Sequence, residues 1–487
     1  MLDVSKNAQT LLAALLLASC IADEEPNQTS QAGDLTLVSS NGITVGASRW
    51  ISARTVEVDI STPLISAGAV NGPHRIRVTL PNFYDQNPNA KYPVVYLLHG
   101  GAGGNSAQWT TGGGAAEHIT VGKPVIVVMP DGGKVGWFTN WVDQSKGAQR
   151  WADFYLTQVI PWVDTNFRTV AAKQGRAISG LSMGGYGAVR LAQDRPDLFA
   201  SVASLSGAVD LGDLGTRTVV TEQAIQHFLP AYGPFGSPFW PNDKGWTAAD
   251  PMKRPTKLLG LQVLLYAGGG NSDFDILERT MGQSADRFAK TLAAAGVPHF
   301  WWMYGRPGPS APFGCDGGHN FGCWNFAFND AVPRMLSVLQ VPTLPPPPLG
   351  TNVAANGGFE SGLASWDCWG RCGADTGAFA RTGTGNGWVR SDAGWNDLHQ
   401  AIPVVPNRTY VVTAWIRTSA NNVDGFFGLR APDGKVLGEK RFGSFPGYTQ
   451  VSVSVNSGAN HALVVFGGMW ANGDTWIQLD DVTAVGN

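Results

Sequence analysis

The chain has little charge. Asp, Glu, Lys and Arg make up 15% of its 487 residues, and the formal net charge is −3. No excess of either sign recommends a polyanion, so no nucleic-acid partner is expected. There is also no apolar run long enough to span a bilayer as a helix. The stretch at residues 11–18 has only the length of a signal-peptide core. Cysteine is scarce, with five in all: Cys20 stands alone, Cys315 and Cys323 lie close together, and so do Cys368 and Cys372. Neither pair has the spacing of a zinc finger, and the two pairs sit in stretches of different character.

What the chain does have is glycine and tryptophan, 62 and 18 residues, together with 43% hydrophobic content. That balance suits short strands, tight turns and aromatic binding faces. Its length is too great for one core and predicts two or three domains. Residues 1–20 read as an export signal, and Leu17-Ala18-Ser19-Cys20 resembles a bacterial lipobox, with Cys20 the acylated residue. The expected location is secreted, or lipid-anchored at a bacterial cell surface, with the membrane reached only through that anchor. One lipidated cysteine plus two local disulfides, Cys315–Cys323 and Cys368–Cys372, then accounts for all five in an oxidising compartment.

Residues 21–40 are polar and read as a tether. Alternating segments at 54–60 and 75–80 predict antiparallel edge strands. Continuous apolar runs follow at 94–98 and 125–129, further buried strands are expected at 201–205, 263–267 and 300–304, and a helical stretch lies at 151–167. Runs of that kind are parallel strands covered on both faces, so residues 41–340 are expected to form a doubly wound α/β sheet. Prolines crowd residues 341–352, which predicts a semi-rigid spacer. Beyond it, residues 353–487 alternate in short runs divided by Gly, Asn and Asp turns, and an all-β sandwich is expected.

The α/β part is organised around residues 177–187. An apolar run leads into Gly180-Leu181-Ser182-Met183-Gly184, and a helical pattern follows. Strand, G-x-S-x-G and helix in that order form the elbow that presents a nucleophilic serine. A serine nucleophile needs a base, an acid that orients the base, and donors for the oxyanion. His319, in Gly317-Gly318-His319-Asn320, follows the last expected strand and is the candidate base. Two acids follow the strand at 263–267: Asp273, in the position usual for many esterases, and Glu278 at the start of the next helix. His99-Gly100-Gly101 ends the strand at 94–98, and the amide of Gly101, with that of Met183, is the candidate oxyanion hole.

These motifs, with Tyr96-Leu97-Leu98-His99-Gly100 and Val128-Met129-Pro130-Asp131-Gly132-Gly133, resemble the esterase D-like α/β-hydrolases. Within them the chain is most similar to the secreted mycolyltransferases of the antigen 85 type. The resemblance runs from about residue 56 to residue 339. It implies an acyl-serine intermediate, formed from an ester and passed to water or to a sugar hydroxyl, with no cofactor. It also selects Glu278, because Leu277-Glu278 matches the Leu-Glu pair of that branch. The chain departs from the branch at His99, where the family has an acidic residue.

The C-terminal part, from Asn356-Gly357-Gly358-Phe359-Glu360 to Asp480-Asp481-Val482, is similar to jelly-roll carbohydrate-binding modules. That similarity implies a structural calcium held by Glu360 and Asp481, and sugar stacking on Trp366, Trp369, Trp388, Trp395 or Trp470. The expected protein is an exported serine esterase acting on acyl esters of a polysaccharide or cell-wall glycan, and a carbohydrate polymer is its partner through the second domain. The alternatives are an acyltransferase onto a sugar hydroxyl and a non-catalytic carbohydrate-binding protein.

Overall fold

The computed structural model describes residues 35–70, 72–111, 113–308 and 311–487. The expected signal segment with Cys20, and most of the tether, lie outside them. Nine strands make the first sheet: β1 (Thr44–Trp50), β2 (Thr55–Ser61), β3 (Arg75–Thr79), β4 (Val94–Leu98), β5 (Ile126–Pro130), β6 (Arg176–Leu181), β7 (Ser201–Leu205), β8 (Gln262–Gly268) and β9 (His299–Gly305). Their order is β1-β2-β3-β5-β4-β6-β7-β8-β9. The first three are an antiparallel edge joined antiparallel to β5, and the remaining neighbours are parallel.

The apolar runs are explained by two cores, one on each face. Val94, Tyr96 and Leu98 of β4 enter one cluster, and Val95 and Leu97 enter the other. Ile126 and Val128 of β5 divide from Val127 and Met129 in the same way. A strand buried on both faces has no polar side to alternate with. The expected helix at 151–167 is helical from Trp151 to Asn166, with a π-helical turn at Phe154–Val159.

Four further helices carry or frame the site: α1 (Met183–Asp194), α2 (Leu214–Gln226), α3 (Ile276–Ala294) and α4 (Phe321–Leu336). The sequence pattern does not mark α2. It buries only Thr216, Val220 and Ala224, a stripe too narrow and too polar to read as amphipathic. Chain order reverses between β4 and β6, and in open α/β sheets the crevice outside the strand ends at such a reversal is the usual ligand site.

The C-terminal sheet has eight strands, all antiparallel: β10 (Asp367–Trp369), β11 (Cys372–Thr376), β12 (Gly385–Pro403), β13 (Thr409–Thr418), β14 (Gly425–Arg430), β15 (Val436–Phe442), β16 (Thr449–Asn456) and β17 (Ala462–Gly486). β12 pairs with β17 along nearly all of its own length, Gly387 with Leu479 to Pro403 with Ala462, with a register shift between Ser391 and Ala393, and the last part of β17 pairs with β13. The expected short runs at 408–417, 425–430 and 449–455 are strands, whereas the run at 461–467 is only the first part of the 25-residue β17. Both cysteine pairs are bridged, Cys315 to Cys323 and Cys368 to Cys372. The first bond closes the turn before α4, and the second spans β10 and β11.

The two sheets' domains touch. The Ala53 amide donates to Ser365 Oγ at 3.3 Å, and His118 Nε2 lies 2.5 Å from Asp367 Oδ2. Among the described residues, no helix is long and apolar enough to cross a membrane.

Candidate active site

Ser182 is the residue between β6 and α1, with φ 53° and ψ −117°. This is a strained conformation for a residue with a side chain. It persists because the Ser182 amide is tied to Leu205 O at 2.8 Å and because the flanking glycines allow close packing. A β-carbon on Gly184 would lie 2.5 Å from His99 O and 2.6 Å from Leu98 O. One on Gly180 would lie 2.5 Å from the Gly184 backbone. G-x-S-x-G is thus a steric requirement: the helix start sits directly on the end of β4.

His319 comes from the loop between β9 and α4. Gly317 has φ 91°, and a β-carbon there would meet Gly305 O at 2.3 Å. The Gly317 amide donates to Cys323 Sγ at 3.0 Å. Asn320 caps α4 by accepting from the Cys323 amide at 3.2 Å. So a disulfide and a helix cap hold the two sides of the histidine. Trp324 stands edge-on to the imidazole, with ring centroids 4.9 Å apart. His319 Nε2 is 3.0 Å from Ser182 Oγ, and Nδ1 is 2.6 Å from Glu278 Oε2.

Glu278 is fully buried. Its other oxygen, Oε1, accepts from the Gly268 amide at 2.6 Å and from Ser206 Oγ at 2.8 Å. Those donors stabilise a carboxylate that is closed off from the surface. Asp273, the alternative acid, is brought elsewhere. Its side chain is 86% exposed and paired with Arg306 at 2.8 Å, whose guanidinium holds the carboxyl below its usual range.

Gly101 lines the same cavity as Ser182 and His319. Met183 opens α1, and its amide is among those that a helix start leaves without an intrahelical acceptor. The Gly100 amide, by contrast, donates to Gln108 Oε1 at 3.1 Å. His99 is structural: Nε2 accepts from the Gly132 amide at 2.7 Å, and Nδ1 faces Gly100 O at 2.7 Å. Accepting at one nitrogen and donating at the other requires the neutral ring.

The C-terminal candidates separate. Trp366 is a correction: it is 5% exposed and packs on Phe359 with centroids 5.0 Å apart, so it is core. Trp388 lies over Gly373 of the facing strand and is half-buried. Trp369 is exposed at the end of β10. Trp395 and Trp470 are direct partners across β12 and β17, and they line one open cleft with Phe426, Arg430 and Arg441.

The carboxylates expected to hold calcium are engaged by the protein itself. Glu360 accepts from Thr384 and Gly385, and Asp481 is held by Arg381 and Thr382. The Arg381 guanidinium pairs with Asp481 at 2.5 Å. Among the described residues no group of three or more His, Cys, Asp or Glu is arranged for a metal.

A hydrogen-bonded Ser–His–Glu series at the reversal point of an α/β-hydrolase sheet defines the class of serine hydrolases of that fold. The chain belongs to the esterase family, whose model matches residues 67–335. It is 33% identical over 269 residues to Esterase Rv1288 of Mycobacterium tuberculosis, an alignment covering 53% of this chain and 58% of that one. It therefore spans under two thirds of that relative's length. It is 27% identical over 276 residues to the diacylglycerol acyltransferase/mycolyltransferase Ag85B of Mycobacterium leprae, with 52% and 79% covered. Among solved structures it is similar to Mycobacterium tuberculosis MPT51 (FbpC1), at 22% identity and a TM-score of 0.43, with 57% and 97% covered.

Proposed function

We propose that this chain is an exported serine carboxylic-ester hydrolase that works through an acyl-serine intermediate. The observation that carries the reading is the continuous series Ser182 Oγ, His319, Glu278 at 3.0 and 2.6 Å. Ser182 attacks the ester carbonyl as His319 Nε2 takes its proton. Glu278 holds the imidazole in the tautomer with hydrogen on Nδ1 and stabilises the cation that forms. The amides of Gly101 and Met183 receive the oxyanion. His319 then returns the proton to the leaving alcohol, and water repeats the sequence in reverse. The substrate class is an acyl ester of a polysaccharide or cell-wall glycan. The cleft at Trp395 and Trp470 supports that class, since exposed aromatic faces beside polar groups suit sugar rings. Export and lipidation at Cys20 rest on the N-terminal sequence alone.

The test is Ser182→Ala with p-nitrophenyl acetate. Turnover should fall to background with an unchanged circular dichroism spectrum; activity within a few-fold of the parent sinks the reading. Acyl transfer to a sugar hydroxyl is the second reading, favoured by the similarity to Ag85B. Product analysis with excess trehalose or xylo-oligosaccharide separates the two, and free acid should exceed acylated sugar.

A further inference from the structure

The cavity at Ser182 is small. Its volume is about 150 Å³, the size of a cavity that encloses one benzene ring. Apolar side chains line it, Trp137, Ala208, Val219, Leu277 and Met281 among them. A flexible chain of a dozen carbons could not be enclosed there.

One polar side chain in the lining has no counterpart in the chemistry described above. Gln223 projects from α2, and a β-carbon on Gly101 would come within 2.7 Å of its Oε1 and 3.2 Å of its Nε2. The carboxamide therefore lies against the candidate oxyanion loop, and only a glycine at 101 lets it approach so closely. Its Oε1 is buried without a hydrogen-bond partner among the described residues. A buried acceptor left unpaired is costly, and native structures hold few of them. Two indole nitrogens in the same lining, Trp137 Nε1 and Trp324 Nε1, are likewise buried and unpaired.

We infer that Gln223 is a specificity-determining residue: it reads a hydroxyl carried by the substrate next to the scissile ester, while the cavity restricts the acyl group to ring size or smaller. This rests on the esterase reading and names the substrate class within it, a compact acyl group on a hydroxyl-bearing ester. A hydroxyl both donates and accepts, so it completes the carboxamide whichever way the amide is turned. The hydroxyl has two sources, a neighbouring hydroxyl on a polyol alcohol or one on the acyl chain.

The test uses the full chain and its Gln223→Leu variant. kcat/KM is measured on p-nitrophenyl acetate, p-nitrophenyl laurate, glycerol monoacetate and p-nitrophenyl 3-hydroxybutyrate. The parent should prefer acetate to laurate by a hundredfold or more. In the variant, one hydroxyl-bearing ester should lose about ten- to a hundredfold more than p-nitrophenyl acetate does. Loss on glycerol monoacetate places the hydroxyl on the alcohol, and loss on the hydroxybutyrate places it on the acyl chain. Equal losses on all substrates would show a merely structural glutamine and overturn the proposal, as would a preference for laurate. Absence of turnover on every ester by the parent overturns the esterase reading itself, a result distinct from both.

Discussion

Replacing Glu278 by glutamine keeps the shape of the side chain and reverses one hydrogen bond. Two of the three donors to this carboxylate, the Gly268 amide and Ser206 Oγ, converge on Oε1. In Glu278→Gln the carbonyl oxygen must stay there, because an amide nitrogen would face the Gly268 N–H at 2.6 Å. The NH2 group is then forced toward His319 Nδ1, where the carboxylate oxygen now lies at 2.6 Å. An NH2 donates, so Nδ1 must accept and the ring hydrogen moves to Nε2. That nitrogen is the one 3.0 Å from Ser182 Oγ, and it can no longer take the serine proton. In the best-studied triad this tautomer error costs on the order of 10⁴ in kcat, equivalent to about 5 kcal/mol of barrier. The assay is kcat on p-nitrophenyl acetate for Glu278→Gln and Asp273→Asn, with circular dichroism to exclude unfolding. Asp273→Asn should stay within a few-fold of the parent, because that side chain is exposed and faces Arg306. If Glu278→Gln retains more than a tenth of kcat, or if Asp273→Asn is the more damaging, the assignment of the acid is wrong.

Two further outcomes follow from the second domain. Trp366→Ala should destabilise it by about 3–5 kcal/mol in denaturant unfolding, as for other buried aromatics. Trp470→Ala, at an exposed position, should instead leave stability nearly unchanged and weaken retention on an insoluble polysaccharide; equal stability losses in the two variants would refute the division of roles. The contact between domains should depend on pH. Burial alone would lower the His118 pKa, but the Asp367 carboxylate outweighs it and raises the value, helped by Glu117 and opposed by Arg54. Burial would raise Asp367, yet His118 and then His399 hold it low. The histidine's contribution is complete below its ordinary value and is lost as pH rises through the raised one. The aspartate's is present above its ordinary value and is lost as pH falls through the lowered one. The contact is therefore fully formed between about pH 4 and 6.5. Protease cleavage within residues 341–352 should be faster at about pH 9 than at about pH 6, and Asp367→Asn should remove the difference. Equal rates in the parent at both pH values would refute it.

The sequence alone determined the elements whose signals are local. Parallel strands such as β4 and β8 carry unbroken apolar runs, Val94–Leu98 and residues 263–267, because both faces are buried. The elbow is visible because only glycine fits two positions before and after Ser182, and the proline spacer announces where one grammar gives way to another. Candidate partners Ser182 and His319 could be named from motif order. What the residues themselves left open between Asp273 and Glu278 depends on which acid faces inward, and the two lie only five positions apart. The fold decides it: Asp275 caps α3, and Glu278 in its first turn is buried against the end of β8 while Asp273 stays in the loop before it. Helix α2 and Gln223 were illegible because their place comes from packing over the site and not from any apolar stripe of their own. The tryptophans were equally beyond pattern reading, since core and surface indoles share one letter. Only the register of β12 against β17 sets Trp395 beside Trp470, and only the packing around Phe359 encloses Trp366. Contacts between residues far apart in the chain, such as His118 with Asp367, leave no trace in either neighbourhood. They exist only once the two domains have folded and met.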